Sequence, residues 1–325
     1  MDSIITVTLN PVIDIHYYSD SFTCGIDNVA NEVLSFAAGK GMNVSRALGS
    51  AGISSEAFVL LGENNAEEYL KLAKDYAVPI SCITTSGEVR QNVSINTPNS
   101  ETRICMKNYS VMPAVLPVLA GQIVRKITEE SAIVFSGSMP KGITEDDFVN
   151  FVLLIKKTIP EVKIIIDCPT ISADNLSIIR PFMIKPNFKE ALHLLGKKDY
   201  NDTDITKQAI SISKDLLNKT NSEHVIISCG SFGAAFSYKL DSNISESGFI
   251  NAPTVANVLT TVGAGDSMLG GILAEMLKQS HSDAPNDFTE AVKWGIAFGS
   301  AACMTKGTNP PSYADIVSIF KQIKN

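Results

Sequence analysis

The chain has 325 residues, 45% of them hydrophobic, with 34 acidic against 27 basic side chains and a formal charge of -7. That length can bury a substantial core in one large domain or two smaller ones, and the acidic balance leaves no basic excess to hold a phosphate backbone, which excludes nucleic acid as an expected partner. No basic and apolar leader and no apolar run of about 18 residues is present, and the six cysteines are scattered singly as small apolar fillers, so a reduced, cytosolic (cytoplasmic) chain without membrane contact is expected.

A short β-branched run at residues 4–9 reads as the first strand. Residues 13–36 then alternate polar and apolar side chains, and a helix is expected over 42–50, a strand over 57–61 and a helix over 66–76. Alternation returns at 90–106, in Gln91-Asn92-Val93-Ser94-Ile95-Asn96, with a turn at Thr97-Pro98-Asn99-Ser100. Strands over 132–135, 163–166 and 225–228 are interleaved with helices over 146–157, 206–217, 266–278 and 288–304.

Strand runs that are apolar on both faces and separated by helical periods imply an α/β fold, a mostly parallel sheet sandwiched by helices. The two alternating segments are too short for a core of their own and are expected to be antiparallel, forming a discontinuous β-strand lid from about 13–36 and 90–106 on a single domain of residues 1–325. A lid with one apolar face must hide it, and a homodimer through the lid is the expected solution.

The strongest chemical signal is Thr260-Thr261-Val262-Gly263-Ala264-Gly265-Asp266-Ser267 running into a helix. The glycines let backbone N–H groups converge on one point, where an anion belongs. A carboxylate there would repel a merely bound phosphate, but it fits a group that takes a proton from a hydroxyl brought up to that phosphate. Taken alone, the segment also reads as a Gly-rich turn with an acidic N-cap. A second Gly-rich turn, Ala38-Gly39-Lys40-Gly41-Met42-Asn43, opens another helix; taken singly, Lys40 also reads as a solvated loop lysine and Asn43 as a polar first-turn residue. There is no GxxxxGK[ST] loop, and Gly263-Ala264-Gly265 lacks the third glycine of a dinucleotide fingerprint, which argues against nicotinamide chemistry.

Gly39-Lys40-Gly41 with Asn43, Ser136-Gly137-Ser138-Met139-Pro140, Lys185-Pro186-Asn187 with Glu190, Ser228-Cys229-Gly230 with Gly233-Ala234, and Thr261 to Asp266 occur in the order and spacing of the PfkB, or ribokinase-like, carbohydrate kinases. The resemblance spans essentially the whole chain. The opening Thr8-Leu9-Asn10-Pro11 with Asp14 looks most like the branch of 1-phosphofructokinases and tagatose-6-phosphate kinases. It implies ATP and Mg²⁺ as cofactors, with a monovalent cation as a further family property, and a phosphorylated ketohexose as acceptor. Asp266 matches the catalytic base, and Gly263, Ala264 and Gly265 with it match the anion hole. Asn187 and Glu190 match the Mg²⁺ element, with Asp167 assisting; Lys185, Ser228, Gly230, Gly233, Ala297 and Ser300 match the nucleotide side. On the sugar side stand Asp14, Gly39, Lys40, Asn43, Arg90 and Asn92, with Ser138 and Lys141 added to the same pocket.

Two departures accompany the resemblance. Glu32 stands where some members carry an Arg, and Asn257 where a β-branched residue is usual. An acid at 32 cannot help to hold a phosphate, so Arg90 and Lys40 must suffice, or the phosphate is held differently, or the sugar differs. A non-catalytic sensor of sugar phosphate and nucleotide is the reading from another class, opposed by the intact Asp266, Gly265 and Glu190.

Overall fold

Nine strands form the central sheet of the computed structural model, which describes residues 1–107, 109–197, 204–241, 244–282 and 287–323. They are β1 (Ser3–Thr8), β4 (Glu56–Gly62), β5 (Ile80–Thr85), β8 (Ser131–Ser136), β9 (Lys163–Asp167), β10 (Met183–Ile184), β11 (His224–Ser228), β12 (Gly233–Lys239) and β13 (Ser245–Asn251), in the order β13-β12-β11-β10-β9-β8-β1-β4-β5. Pairing is parallel from β11 to β5, and β12 and β13 add antiparallel strands at one edge.

Period-two alternation along the strands divides the core. Ile5, Val7, Phe58, Leu60, Ile133 and Phe135 face α3 (Val115–Val124), α4 (Glu145–Thr158), α5 (Ala173–Ile179), α6 (Phe188–Leu194) and α7 (Ile205–Thr220). Ile4, Ala132 and Val134 face α1 (Lys40–Ser50), α8 (Ala264–Ser280) and α9 (Phe288–Ala302), while Ala57, Val59 and Leu61 face α2 (Ala66–Ala73). A last helix, α10 (Tyr313–Phe320), packs on α9. The parallel, helix-covered sheet is the expected fold. Among the described residues, no helix is long and apolar enough to cross a membrane.

The lid is a separate sheet of β3 (Glu32–Ala38), β2 (Val12–Tyr18), β6 (Arg90–Thr97) and β7 (Ser100–Cys105), in that order. One expectation is corrected here: β2 pairs with β3 antiparallel but with β6 parallel, Asp14 opposite Asn92. The chain passes through α1, β4, α2 and β5 between them, and such a crossover returns it in the same direction. Residues 19–31, inside the first lid segment, form an exposed connection rather than strand.

Candidate active site

In the parallel sheet the chain leaves β1 for β4 on one side and later returns for β8 on the other. The carboxyl ends of strands at such a reversal leave a crevice, and helices that start there aim their first-turn amides into it. Here the crevice is a cavity of about 830 Å³, walled by the lid strands, the start of α1, the ends of β9 and β11 and the start of α8.

The start of α1 is fixed by the turn before it. Gly39 has φ 132°, and a Cβ on it would lie 2.6 Å from Thr8 Cγ2, so only glycine lets the chain turn this tightly against the end of β1. That turn places Lys40 and Asn43 in the cavity. Gly263, with φ 80°, is the left-handed N-cap of α8 and sets Asp266 in its first turn, 6% exposed. The amide of Ala264 is engaged at long range by Thr261 O (3.4 Å).

Five side chains from distant parts of the sequence meet at the cavity floor. Asn43 Nδ2 donates to Asp266 Oδ2 at 2.8 Å. Lys40 Nζ donates to Asp167 Oδ1 at 3.3 Å, and Lys185 Nζ lies 3.3 Å from Asp167 Oδ2. Burial opposes a charge on Asp167, yet Lys185 and Lys40 hold its carboxyl below the ordinary carboxylate range. Burial also opposes the charge on Lys40, but Asp167, Asp266 and Glu190 outweigh it and raise its pKa. Burial pushes Asp266 up to about 6, with Asp167 adding to the shift and Lys40, Asn43 and Lys185 opposing it. A carboxylate tuned close to neutrality at the mouth of a helix start is suited to accepting a proton.

The lid supplies the upper wall. Val12, Asp14, Arg90, Asn92, Arg103 and Cys105 share the lid face that looks into the cavity, by the registers Val12 to Arg90, Asp14 to Asn92 and Asn92 to Cys105. Arg103 Nη2 donates to Asp14 Oδ1 at 3.1 Å. Arg103 is absent from the sequence reading. Its signal was the period of two that sets it beside Cys105 on the Asn92 face, in a strand otherwise exposed throughout. Glu32 points elsewhere and pairs with Lys306 after α9, whose Nζ also lies 5.1 Å over the Tyr18 ring. With Glu32 spent on that pair, Arg103 furnishes the second guanidinium beside Arg90.

The opposite wall carries Ser228, Gly230, Gly233, Ser300 and residues of the 252–265 segment. Three expected residues do not line the cavity. Ala297 is fully buried against Ala47, because Ile296, Gly299, Ser300 and Cys303 occupy the helix phase that faces the cavity. Ser138 accepts a hydrogen bond from Asn10 Nδ2 at 2.9 Å, and Lys141 is exposed with its carbonyl taken by Val111 N. Cys105, together with the exposed Cys24, also departs from the expected role of apolar filler.

Asn187 and Glu190 line the cavity as a capping box for α6: Asn187 Oδ1 accepts from Glu190 N at 2.9 Å and Glu190 Oε2 from Asn187 N at 2.8 Å. One carboxylate oxygen of Glu190 is left over by this arrangement. Among the described residues no group of three or more His, Cys, Asp or Glu side chains could enclose a metal ion. Hard oxygen donors at one edge of a ligand cavity fit Mg²⁺, which keeps most of its waters and is bound jointly with phosphates.

The family described as pfkB family carbohydrate kinase matches residues 5–315. The chain is 28% identical over 323 residues to tagatose-6-phosphate kinase of Staphylococcus epidermidis, covering 99% of this chain and 98% of that one. It is 29% identical over 322 residues to 1-phosphofructokinase of Borreliella burgdorferi, covering 99% and 97%. The crystal structure of phosphofructokinase-2 from Escherichia coli in complex with potassium superposes with a TM-score of 0.83 at 25% identity, over 99% of both chains. The chain is therefore a member of the pfkB family of carbohydrate kinases and an ATP-dependent phosphotransferase.

Proposed function

We propose that the chain transfers the γ-phosphoryl group of ATP to a primary hydroxyl of a ketohexose phosphate, with fructose 1-phosphate, giving fructose 1,6-bisphosphate, as the preferred acceptor. The observation that carries a phosphorylated acceptor is the placement of Arg90 and Arg103 on the cavity face of the lid, with Asp14 the anion bound to Arg103. Guanidinium groups suit fork-like contact with phosphate oxygens, and an unphosphorylated sugar leaves them without an anion of matching charge. On this reading the sugar phosphate takes over Arg103, and Asp14 is freed for sugar hydroxyls beside Gly39, Lys40, Asn43 and Asn92.

Asp266 then accepts the proton of the attacking hydroxyl while the new O–P bond forms and the bond from the γ-phosphorus to the ADP oxygen breaks. The first-turn amides of α8, with Lys40 and Lys185, stabilise charge on the moving phosphoryl group. Asn187 and Glu190 would hold Mg²⁺ through water; when bound, the ion neutralises charge on the ATP phosphates. We assign Asp167 to its two lysines, since both of its oxygens are engaged by them. Ser228, Gly230, Gly233 and Ser300 take the nucleotide. A monovalent cation near the start of α8 belongs to the reading on the strength of the potassium-bound relative, and rates in K⁺ against Na⁺ report it. Residues 1–325 act as one catalytic unit, paired into a homodimer through the outer face of the lid.

Tagatose 6-phosphate is the second acceptor, because the two relatives at 28% and 29% identity carry the two different names. ADP release measured with fructose 1-phosphate, fructose 6-phosphate, tagatose 6-phosphate and free fructose tests both. The expected result is a kcat/KM for fructose 1-phosphate about 100-fold or more above that for fructose. Equal rates with fructose would remove the phosphorylated acceptor, and a clear preference for tagatose 6-phosphate would replace the first sugar by the second.

A further inference from the structure

Asn43 lies in the first turn of α1 and lines the cavity, and only one end of its amide is used. Its Nδ2 donates to Asp266 Oδ2 at 2.8 Å, while its Oδ1 is buried without a hydrogen-bond partner among the described residues. A carboxylate can only face the NH₂ end of a primary amide, so this contact fixes the orientation of the Asn43 side chain. It also makes the two oxygens of Asp266 unequal: Oδ2 is tied down, and Oδ1 keeps its lone pairs.

We infer that Asn43 is a positioning residue for the base, holding Oδ2 of Asp266 so that Oδ1 is the oxygen that takes the proton of the attacking hydroxyl. The inference rests on Asp266 being the base and adds to it a selection between its oxygens. The carboxylate has few other restraints of this kind. Charged groups facing it are Lys40 on α1, Asp167 at the end of β9 and Lys185 after β10, and the first two of these basic and acidic groups are bound to each other. Lys185 is likewise bound to Asp167, and Gly263, the cap beside Asn43, brings no side chain. Among the described residues, the hydrogen bond from Asn43 is thus the directional contact on the carboxylate, while the lysines act as neighbouring charge. It lowers the pKa of Asp266 against the burial that raises it. The unpartnered Oδ1 of Asn43 remains as an acceptor for a hydroxyl of the sugar, so one amide registers base and acceptor relative to each other.

The test is the pH dependence of kcat and of KM for the sugar phosphate in the full chain, for the native enzyme, Asn43→Leu and Asn43→Asp. Loss of the donor in Asn43→Leu is expected to lower kcat about tenfold or more and to move the acid limb of the kcat profile up by about one pH unit. Asn43→Asp, nearly the same shape and therefore the safeguard against misfolding, puts a second acid against Asp266 and is expected to move that limb further up. Nucleotide binding and a cooperative melt establish that each variant is folded. A higher sugar KM with kcat and the acid limb unchanged in both variants would overturn the inference, since that is the signature of a residue that only grips the sugar. Failure of the parent reading looks different: Asp266→Asn would then keep its turnover, whatever Asn43 does.

Discussion

Asp266 is held in a state that favours chemistry over stability. Its pKa in the folded chain, about 6, lies above the ordinary carboxylate value, so the protonated form is the one that favours folding. That stabilisation is whole below about pH 4 and is lost as the pH rises through about 6, which leaves a destabilising charge at neutral pH. Asp266→Asn is therefore expected to raise Tm by roughly 5 °C at pH 8 and by clearly less at pH 5, read by differential scanning calorimetry. An equal shift at both pH values would contradict the raised pKa. Asp167 behaves oppositely. It is 3% exposed and bound to two lysines, so Asp167→Asn leaves both ammonium groups without their anion. We expect that variant to lose several kcal/mol at pH 7, since breaking a buried pair costs about 3–5 kcal/mol, and to keep the Mg²⁺ concentration for half-maximal activity unchanged. A large rise in that concentration would make Asp167 a metal ligand instead.

Among the elements, the start of α8 carries the most chemistry, and it does so through its backbone. A Cβ on Gly263 would meet nothing closer than Asn43 Nδ2 at 3.9 Å, so space is not what requires glycine there. The requirement is the backbone, at φ 80°. Gly263→Ala should cost about 1–2 kcal/mol in stability, and should lower kcat by more than that strain alone suggests, because relief of the strain rotates the amides and Asp266. Strands β1, β4, β8, β9 and β11 and the turns before α1 and α8 were legible, because apolar residues on both faces and paired glycines are local signals. Other features depended on partners far along the chain. Strand β10 has two residues, α3 contains Pro117 and Gly121 in an almost wholly apolar run, and the parallel pairing of β2 with β6 joins segments separated by β3, α1, β4, α2 and β5. The site followed the same division. Asp266, Lys40 and Asn43 stand at glycine turns that are visible in the sequence, whereas Arg103 is distinguished only by which face of a lid strand it occupies, and Ala297 lies one step of helix phase from the residues that line the cavity.

For the whole molecule, the lid is inverted relative to an ordinary surface sheet. Its cavity face buries Asp14, His16, Asn92, Ser94 and Asn96, while Val33 and Ile104 on its other face are 51% and 54% exposed, with Met106 close by at 56%. Apolar residues gathered on one exposed face signal association, and a second copy with the same face would cover them. Light scattering should give twice the mass of 34.9 kDa for the native chain and a single mass for Val33→Asp, and a monomeric native chain at working concentration would remove the homodimer. The Glu32 pair with Lys306 ties the lid to the segment after α9, but both side chains are more than a third exposed, so Lys306→Ala should change stability by about 1 kcal/mol or less. In the proposed function, what joins the two halves of the cavity is the chemistry at its floor, where Asp266 on α8 would act as base between the ligands of the lid and of the opposite wall. The most direct measurement is the turnover of Asp266→Asn beside its ATP affinity: with Asp266 as the base, kcat falls about 1,000-fold or more while nucleotide binding stays within a few-fold of native, and a kcat close to native would contradict that role.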